Sequence, residues 1–309
     1  RDLRKQIWTA YNTRAIGGEN DNTEIVKKIV DLRIKIANIL GYETYADYAL
    51  EERMAKNKLT VNEFIKNLLE PSMEFAKKDV ADVYAFAKKN GFEDSQLQSW
   101  DFSYWSEKYQ QAEYSLSAEE LKPYFQLESC IDAVLGLATR LYGITFKELD
   151  NVPVYHPDVK VYEVNDADGR HLALFYADFF PRASKRGGAW MTEFRGQSIR
   201  NGVEYRPFIS TVMNFTKPTA DAPALITHDE LVTFLHEFGH ALHGIFAEGR
   251  YGSLTGTNVS RDFVELPSQI MENWAFEPEY LNSFAKHYQT GEPIPAELIE
   301  KVVAAKNYL

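Results

Sequence analysis

The chain has 309 residues, 45% of them hydrophobic and 26% charged, and carries a net charge of −11. Those are the proportions of a globular protein with a sizeable core, not of a disordered one. The acidic balance excludes a general nucleic-acid or anionic-membrane binder, which needs a basic face, and no apolar run reaches the roughly 18 residues of a membrane span.

A single cysteine, Cys130, excludes an internal disulfide framework and any thiolate metal cluster. It makes a reducing compartment, the cytoplasm, the default expectation. The sequence opens on Arg1 with no signal-peptide pattern and closes on Tyr308-Leu309 within a helical pattern. Both ends read as cut, so the expectation is a piece of a longer chain.

Residues 1–150 read as a helical scaffold. Ile25, Ile29, Leu32, Ile36 and Leu40 recur at helical spacing, and Gly41 stands where a C-cap glycine belongs. Thr60-Val61-Asn62-Glu63 has capping-box spacing. It opens a long pattern through Phe64, Leu68, Phe75, Val83 and Phe86, kinked at Pro71 and ended at Gly91. Further helices are predicted over 101–113 and 127–141, the second stopped near Gly143. No catalytic motif lies in this half.

Residues 151–216 change to strand patterns. Val159 to Val164 alternates as a half-buried strand does, Asn165-Asp166-Ala167-Asp168-Gly169 is a turn, and His171 to Phe180 completes a hairpin. Phe208 to Phe215 is a third strand. Between them lies Lys185-Arg186-Gly187-Gly188-Ala189-Trp190, where paired glycines admit close approach of another backbone. The expected fold is mainly α, a multi-helix domain with one small antiparallel sheet.

Residues 217–309 carry the chemistry. Thr227-His228-Asp229-Glu230 is a capping box that starts a helix running to about Ala247, with Gly249 as its stop. At 100° per residue Leu231, Phe234, Leu235, Phe238, Ala241, Leu242 and Ile245 share one side. His236, His240 and His243 share the other. His236-Glu237-Phe238-Gly239-His240 is an H-E-x-x-H motif. Residues four apart sit one above the other, so both imidazoles can face a single zinc ion. Glu237 lies about 100° round, where it can accept a proton from water without being a ligand. His243 is about 10 Å along the axis from His236, too far to share the ion, and is read as a neighbour of the site, with either a structural role or a substrate-facing one. Gly239 costs roughly 1 kcal/mol relative to alanine in a helix interior, which implies close approach by another group near the metal.

A catalytic zinc takes a third protein ligand. Arg261 to Trp274 reads as a second helix whose carboxylates Asp262, Glu265 and Glu272 all qualify, and spacing does not choose among them. Glu272 falls on nearly the same helical face as Glu265, a placement suited to orienting a ligand histidine.

His236 to His240, followed by Arg261-Asp262-Phe263-Val264-Glu265 and Pro267-Ser268-Gln269, resembles the thimet oligopeptidase family of zinc metallopeptidases. Asp178-Phe179-Phe180, Lys185 to Met191, Arg250-Tyr251, Ser253 to Asn258 and His287-Tyr288-Gln289 look most like its bacterial peptidyl-dipeptidase (dipeptidyl carboxypeptidase) branch. The resemblance implies that Glu265 joins His236 and His240 on one zinc ion. Glu237 is then the catalytic base, with Glu272 and Asp262 supporting the ligands from behind. It also implies a clam-shaped monomer whose deep channel admits short peptides, and release of dipeptides from free C-termini. The family's sheet holds substrate extended along the channel, which assigns Gly187, Gly188 and Ala189 to substrate contact. Family members run longer and carry downstream tyrosines and a histidine that stabilise the tetrahedral intermediate; this sequence stops short of them. Two alternatives therefore accompany the peptidyl-dipeptidase: an endo-acting oligopeptidase, and a fragment that binds zinc and peptide without turnover.

Overall fold

The computed structural model describes residues 1–114 and 118–306, so Asn307-Tyr308-Leu309 at the end of the last predicted helical pattern lie outside the described residues. The described chain forms two compact units, residues 1–114 and 118–306. The helix predicted over 127–141 belongs to the second, with the sheet, rather than to the helical scaffold.

The first unit is all helical: α1 (Asp2–Asn12), α2 (Thr23–Ile39), α3 (Tyr45–Leu50), α4 (Lys58–Lys89) and α5 (Ser99–Tyr114). Asn57, not Thr60, caps α4, its side chain accepting the Thr60 backbone N–H at 2.9 Å. Asparagine is as good an N-cap as any residue, so the helix starts earlier than the capping-box spacing suggests. It runs through Pro71 as one element, and Gly91 takes the left-handed turn after it with φ +89°. Val83, Ala87, Phe92 and Trp105 form a small core between α4 and α5. Asp101, wholly buried, is held by Arg1, whose guanidinium donates to it at 2.8 Å.

The apolar stripe predicted to face a core in α2 stays exposed. Ile25, Ile29, Leu32, Ile36 and Leu40 all lie at the surface of the unit, and only Ala37 of that helix is buried. Phe64, Leu68 and Phe75 of α4 are exposed too. Periodicity put the apolar residues on one face but supplied no cover. The main partner of the 17-residue α2 is α3, a helix of 6 residues.

The second unit opens with α6 (Ala118–Leu121) and α7 (Leu127–Tyr142), which stops at Gly143 in the left-handed conformation. A five-stranded sheet follows: β1 (Thr145–Glu148), β2 (Lys160–Asn165), β3 (His171–Asp178), β4 (Trp190–Arg195) and β7 (Phe208–Val212). Their spatial order is β1-β2-β3-β7-β4, while β5 (Ser198–Arg200) and β6 (Val203–Tyr205) pair separately. The expected all-antiparallel sheet needs correcting. β7 runs parallel to β3, with Leu174 opposite Phe208 and Asp178 opposite Val212. The excursion from Phe179 to Pro207 is long enough for the crossover a parallel pair requires, and it contributes β4 on the far side of β7. β4 is therefore the sheet edge.

Helix α8 (His228–Ile245) packs its apolar side on this sheet. Phe238 meets Phe175 edge-on at 5.6 Å, and Phe234 meets Phe179 at 5.3 Å. Both halves of the Thr227–Glu230 capping box form. Gly249 does not end the helix; that falls at Ile245, and the Gly249 N–H instead donates to the Gln197 side chain at 3.0 Å. The second predicted helix is shorter than its pattern. α9 covers only Leu266–Glu272, because Pro267 has no N–H to donate and is admitted only in a first turn. Two further helices, α10 (Pro278–Phe284) and α11 (Ala296–Ala305), close the unit. Cys130 is buried in its core, where burial pushes the thiol far above its usual range and leaves it inert. Among the described residues no helix is long and apolar enough to cross a membrane.

Phe238 is wholly buried between β-strand and helix side chains. Phe238→Ala is expected to cost the second unit about 3–5 kcal/mol, read as a lowered denaturant midpoint in a tryptophan-fluorescence titration.

Candidate metal centre

The polar side of α8 carries His236 and His240 one turn apart, their rings edge-to-face at 4.9 Å. Glu265 arrives from the turn just before α9. Its Oε2 lies 3.3 Å from His236 Nε2 and 3.1 Å from His240 Nε2. The three ligand atoms all fall within 4.8 Å of one another. Zinc bonds of 2.0–2.2 Å in tetrahedral array set ligand atoms about 3.4 Å apart. Two imidazoles and one carboxylate at this spacing are a donor set that fits zinc.

Glycine at 239 permits the meeting. A Cβ there would sit 2.6 Å from both Pro267 O and Ser268 Cα, so the backbone of α9 rests directly on the α8 backbone. The close approach expected from this glycine is α9 itself. Ser268 then donates to Glu265 Oε2 at 2.8 Å and fixes the carboxylate. Burial pushes the Glu265 carboxyl up, but the Ser268 hydroxyl and the two histidines more than offset it and hold it below its usual range.

Glu272, a turn and more along α9, accepts from His236 Nδ1 at 2.6 Å. That bond leaves Nε2 as the free lone pair facing Glu265. His240 Nδ1 is buried with no hydrogen-bond partner among the described residues, and burial lowers the ring's pKa. Asp262 does not join the cluster of ligand atoms.

Glu237 is buried beside the cluster. Burial raises its pKa, the nearby Glu265 adds to the rise, and His236 and the Met191 backbone amide oppose it. The result is a carboxylate above its ordinary range, better matched to taking a proton near neutrality. The cavity in front of it is about 300 Å³ and is walled by Ala189, Trp190 and Met191 of the sheet edge and by Thr257. Gly187 and Gly188 sit just before this wall. Among the described residues no atom would meet a Cβ on either, but Gly188 has φ +89°, a conformation that favours glycine. His243 stands apart, with its ring 6.1 Å from Phe263 and facing a separate cavity of about 510 Å³.

Sequence reasoning missed the residues that set the loop between α8 and Glu265. Gln197 holds it twice, through Oε1 to the Gly249 N–H and through its carbonyl, which accepts the Thr255 hydroxyl at 2.9 Å. Glu193 of β4 accepts the Thr257 N–H, and burial raises its pKa. A Cβ on Gly244 or Gly256 would press on that carboxylate. Glycines recurring at 244, 249, 252 and 256 were the available signal; nothing in the sequence pointed to Gln197.

The family model described as peptidase family M3 matches residues 1–309. Oligopeptidase A of Escherichia coli is 42% identical over 99% of this chain and 46% of its own length. Dipeptidyl carboxypeptidase of Salmonella typhimurium is 41% identical over 98% of this chain and 44% of its own. Saccharolysin of Saccharomyces cerevisiae is 33% identical over a similar span. The chain spans about half the length of these relatives.

Adding a Cβ at position 239 tests the close contact. Gly239→Ala is expected to destabilise the second unit by about 1–3 kcal/mol despite alanine's better helix propensity, since backbone rather than a flexible side chain must move. Calorimetry with and without zinc checks it, and the zinc-induced rise in Tm should shrink.

Proposed function

The chain belongs to peptidase family M3, and from that premise we propose that it hydrolyses peptide bonds in short peptides with one zinc ion held by His236, His240 and Glu265. The observation that carries this reading is the convergence of those three side chains beside a buried Glu237 of raised pKa. A zinc ion in this donor set lowers the pKa of water and polarises a scissile carbonyl. Glu237 takes the proton and returns it to the leaving amine. Glu272 fixes the His236 tautomer, and Ser268 fixes Glu265. Ala189 and Met191 place the sheet edge against the pocket, where an extended peptide can add to β4 through main-chain bonds.

The finer reading is release of C-terminal dipeptides, supported by the segments that resemble the peptidyl-dipeptidase branch. Relatives named oligopeptidase A and dipeptidyl carboxypeptidase stand at 42% and 41% identity, which favours neither over an endo-acting enzyme. Amidating a test peptide's C-terminus separates them: a peptidyl-dipeptidase slows sharply, and an endopeptidase does not. We further propose that the protein works as a monomer in the cytoplasm, the compartment its single cysteine favours.

Glu237→Gln is expected to bind zinc at one equivalent and lose cleavage by at least about 10²-fold. Full cleavage by that variant, with zinc content verified, removes Glu237 from the role of base. Glu265→Gln should weaken zinc directly. Glu272→Ala should weaken it about 10–100-fold, measured by competition with a chromogenic chelator.

A further inference from the structure

The loop from Phe179 to Ala189 joins the end of the central strand β3 to the pocket-lining edge strand β4. It is held by a charge pair, Lys185 with Asp178, that has almost no access to water. The Lys185 side chain is 2% exposed and that of Asp178 is 1%. Lys185 Nζ donates to the Asp178 carbonyl at 3.0 Å, to Asp178 Oδ1 at 3.0 Å and to the Phe180 carbonyl at 2.9 Å. All three ammonium protons are therefore satisfied. Arg182 adds a two-pronged bond to Asp178, both contacts at 2.9 Å, and the Tyr155 hydroxyl donates to Oδ2 at 3.1 Å.

The far end of the loop is tied independently. Asn214, just past β7, donates through Nδ2 to the Arg186 carbonyl at 2.9 Å and the Gly188 carbonyl at 2.7 Å. Ala189 and Trp190 follow at once, lining the metal pocket, with Trp190 in register with Val212.

A cation and a carboxylate in so dry a place, with the one-fifth exposed Arg182 beside them, are a poor way to gain stability, because desolvation consumes most of the attraction and apolar replacements do as well. What such a group does supply is a fixed geometry. A loop already ordered saves a binding peptide the entropy of ordering it.

We propose that Lys185 with Asp178 at one end, and Asn214 at the other, are positioning residues that lock the 179–189 loop so that β4 presents its unpaired edge to a peptide at the metal pocket. This rests on the reading that substrate lies along β4. Lys185 and Asp178 tie the loop to β3, and Asn214 ties it to the end of β7. The loop thereby takes on the rigidity of the two central strands. None of these residues touches the scissile bond.

The test uses the Glu237→Gln protein loaded with zinc, so that peptide binds without being cut. Three quantities are read: amide hydrogen exchange over 186–191, zinc affinity, and the Kd of a fluorescent short peptide. Lys185→Met and Asn214→Asp are the variants. Asn214→Asp keeps size and shape but has no proton to give the two carbonyls, and it leaves the buried charges intact should Lys185→Met fail to fold. Each is expected to speed exchange over 186–191 and to weaken peptide binding about tenfold, equivalent to about 1.4 kcal/mol, with zinc affinity unchanged within about twofold. Wild-type exchange and wild-type peptide Kd in folded Asn214→Asp overturn the proposal. So does faster exchange with peptide Kd unchanged, which makes the anchors purely structural. If the parent protein binds zinc but no peptide, the substrate reading itself fails, and the exchange comparison alone decides whether the loop is pinned.

Discussion

The candidate metal centre depends on two backbones being allowed to touch. Helix α8 contributes the histidines and the turn before α9 the carboxylate, and they come from segments separated by a loop of irregular structure. Side chains of ordinary size between two helices hold their axes 8–10 Å apart. At Gly239 that spacing collapses, since Pro267 O and Ser268 Cα stand where a Cβ would be. Glu265, only two residues before Pro267, is carried in by the same contact. The helix-propensity cost of a glycine is small against the geometric freedom it supplies.

Around that contact the site is organised by part-buried hydrogen bonds between side chains. His236 is held through Nδ1 by Glu272, and Glu265 is held by Ser268. Each partner fixes an orientation that a solvated side chain would sample only part of the time. The opposing pKa directions have the same origin. Glu265 accepts a hydroxyl and faces two imidazoles, and its carboxyl is held low; Glu237 is buried with weaker compensation, and its carboxyl is raised. Two glutamates in one pocket are thus set apart by their surroundings alone, which suits one to the proposed ligand role and the other to that of the proposed base.

What the sequence made legible follows from distance along the chain. The histidine pair sits within one helix, and fixed helical rise and rotation place His236 and His240 together without knowledge of any other residue. The capping box at Thr227 is equally local. The carboxylate partner is not: Asp262, Glu265 and Glu272 were equivalent by spacing, and only the path of the loop after α8 and the start of α9 at Leu266 tell them apart. The sheet shows the same limit. Alternation identified three strands, but the parallel pairing of β3 with β7 depends on a 29-residue excursion that no local pattern encodes. In α2, the period correctly marked one apolar face. Whether that face is covered depends on what else packs there, which periodicity does not report.

The edge strand β4 unites these threads. An edge is the part of a sheet most prone to fray, because half its main-chain groups lack partners and it borders only one neighbour. Here both its ends are tied by polar side chains. Before it, Lys185 reaches back to β3 and Asn214 reaches across from β7. Within and beyond it, Glu193 and Gln197 engage the loop that leads to Glu265. The strand is thus coupled to the sheet on one side and to the metal-ligand loop on the other, with its Ala189–Met191 stretch left to face the pocket. Covering the edge with another strand would have rigidified it as well, but would have removed the main-chain groups a peptide needs. Anchoring by side chains at the two ends gives rigidity and leaves the edge open.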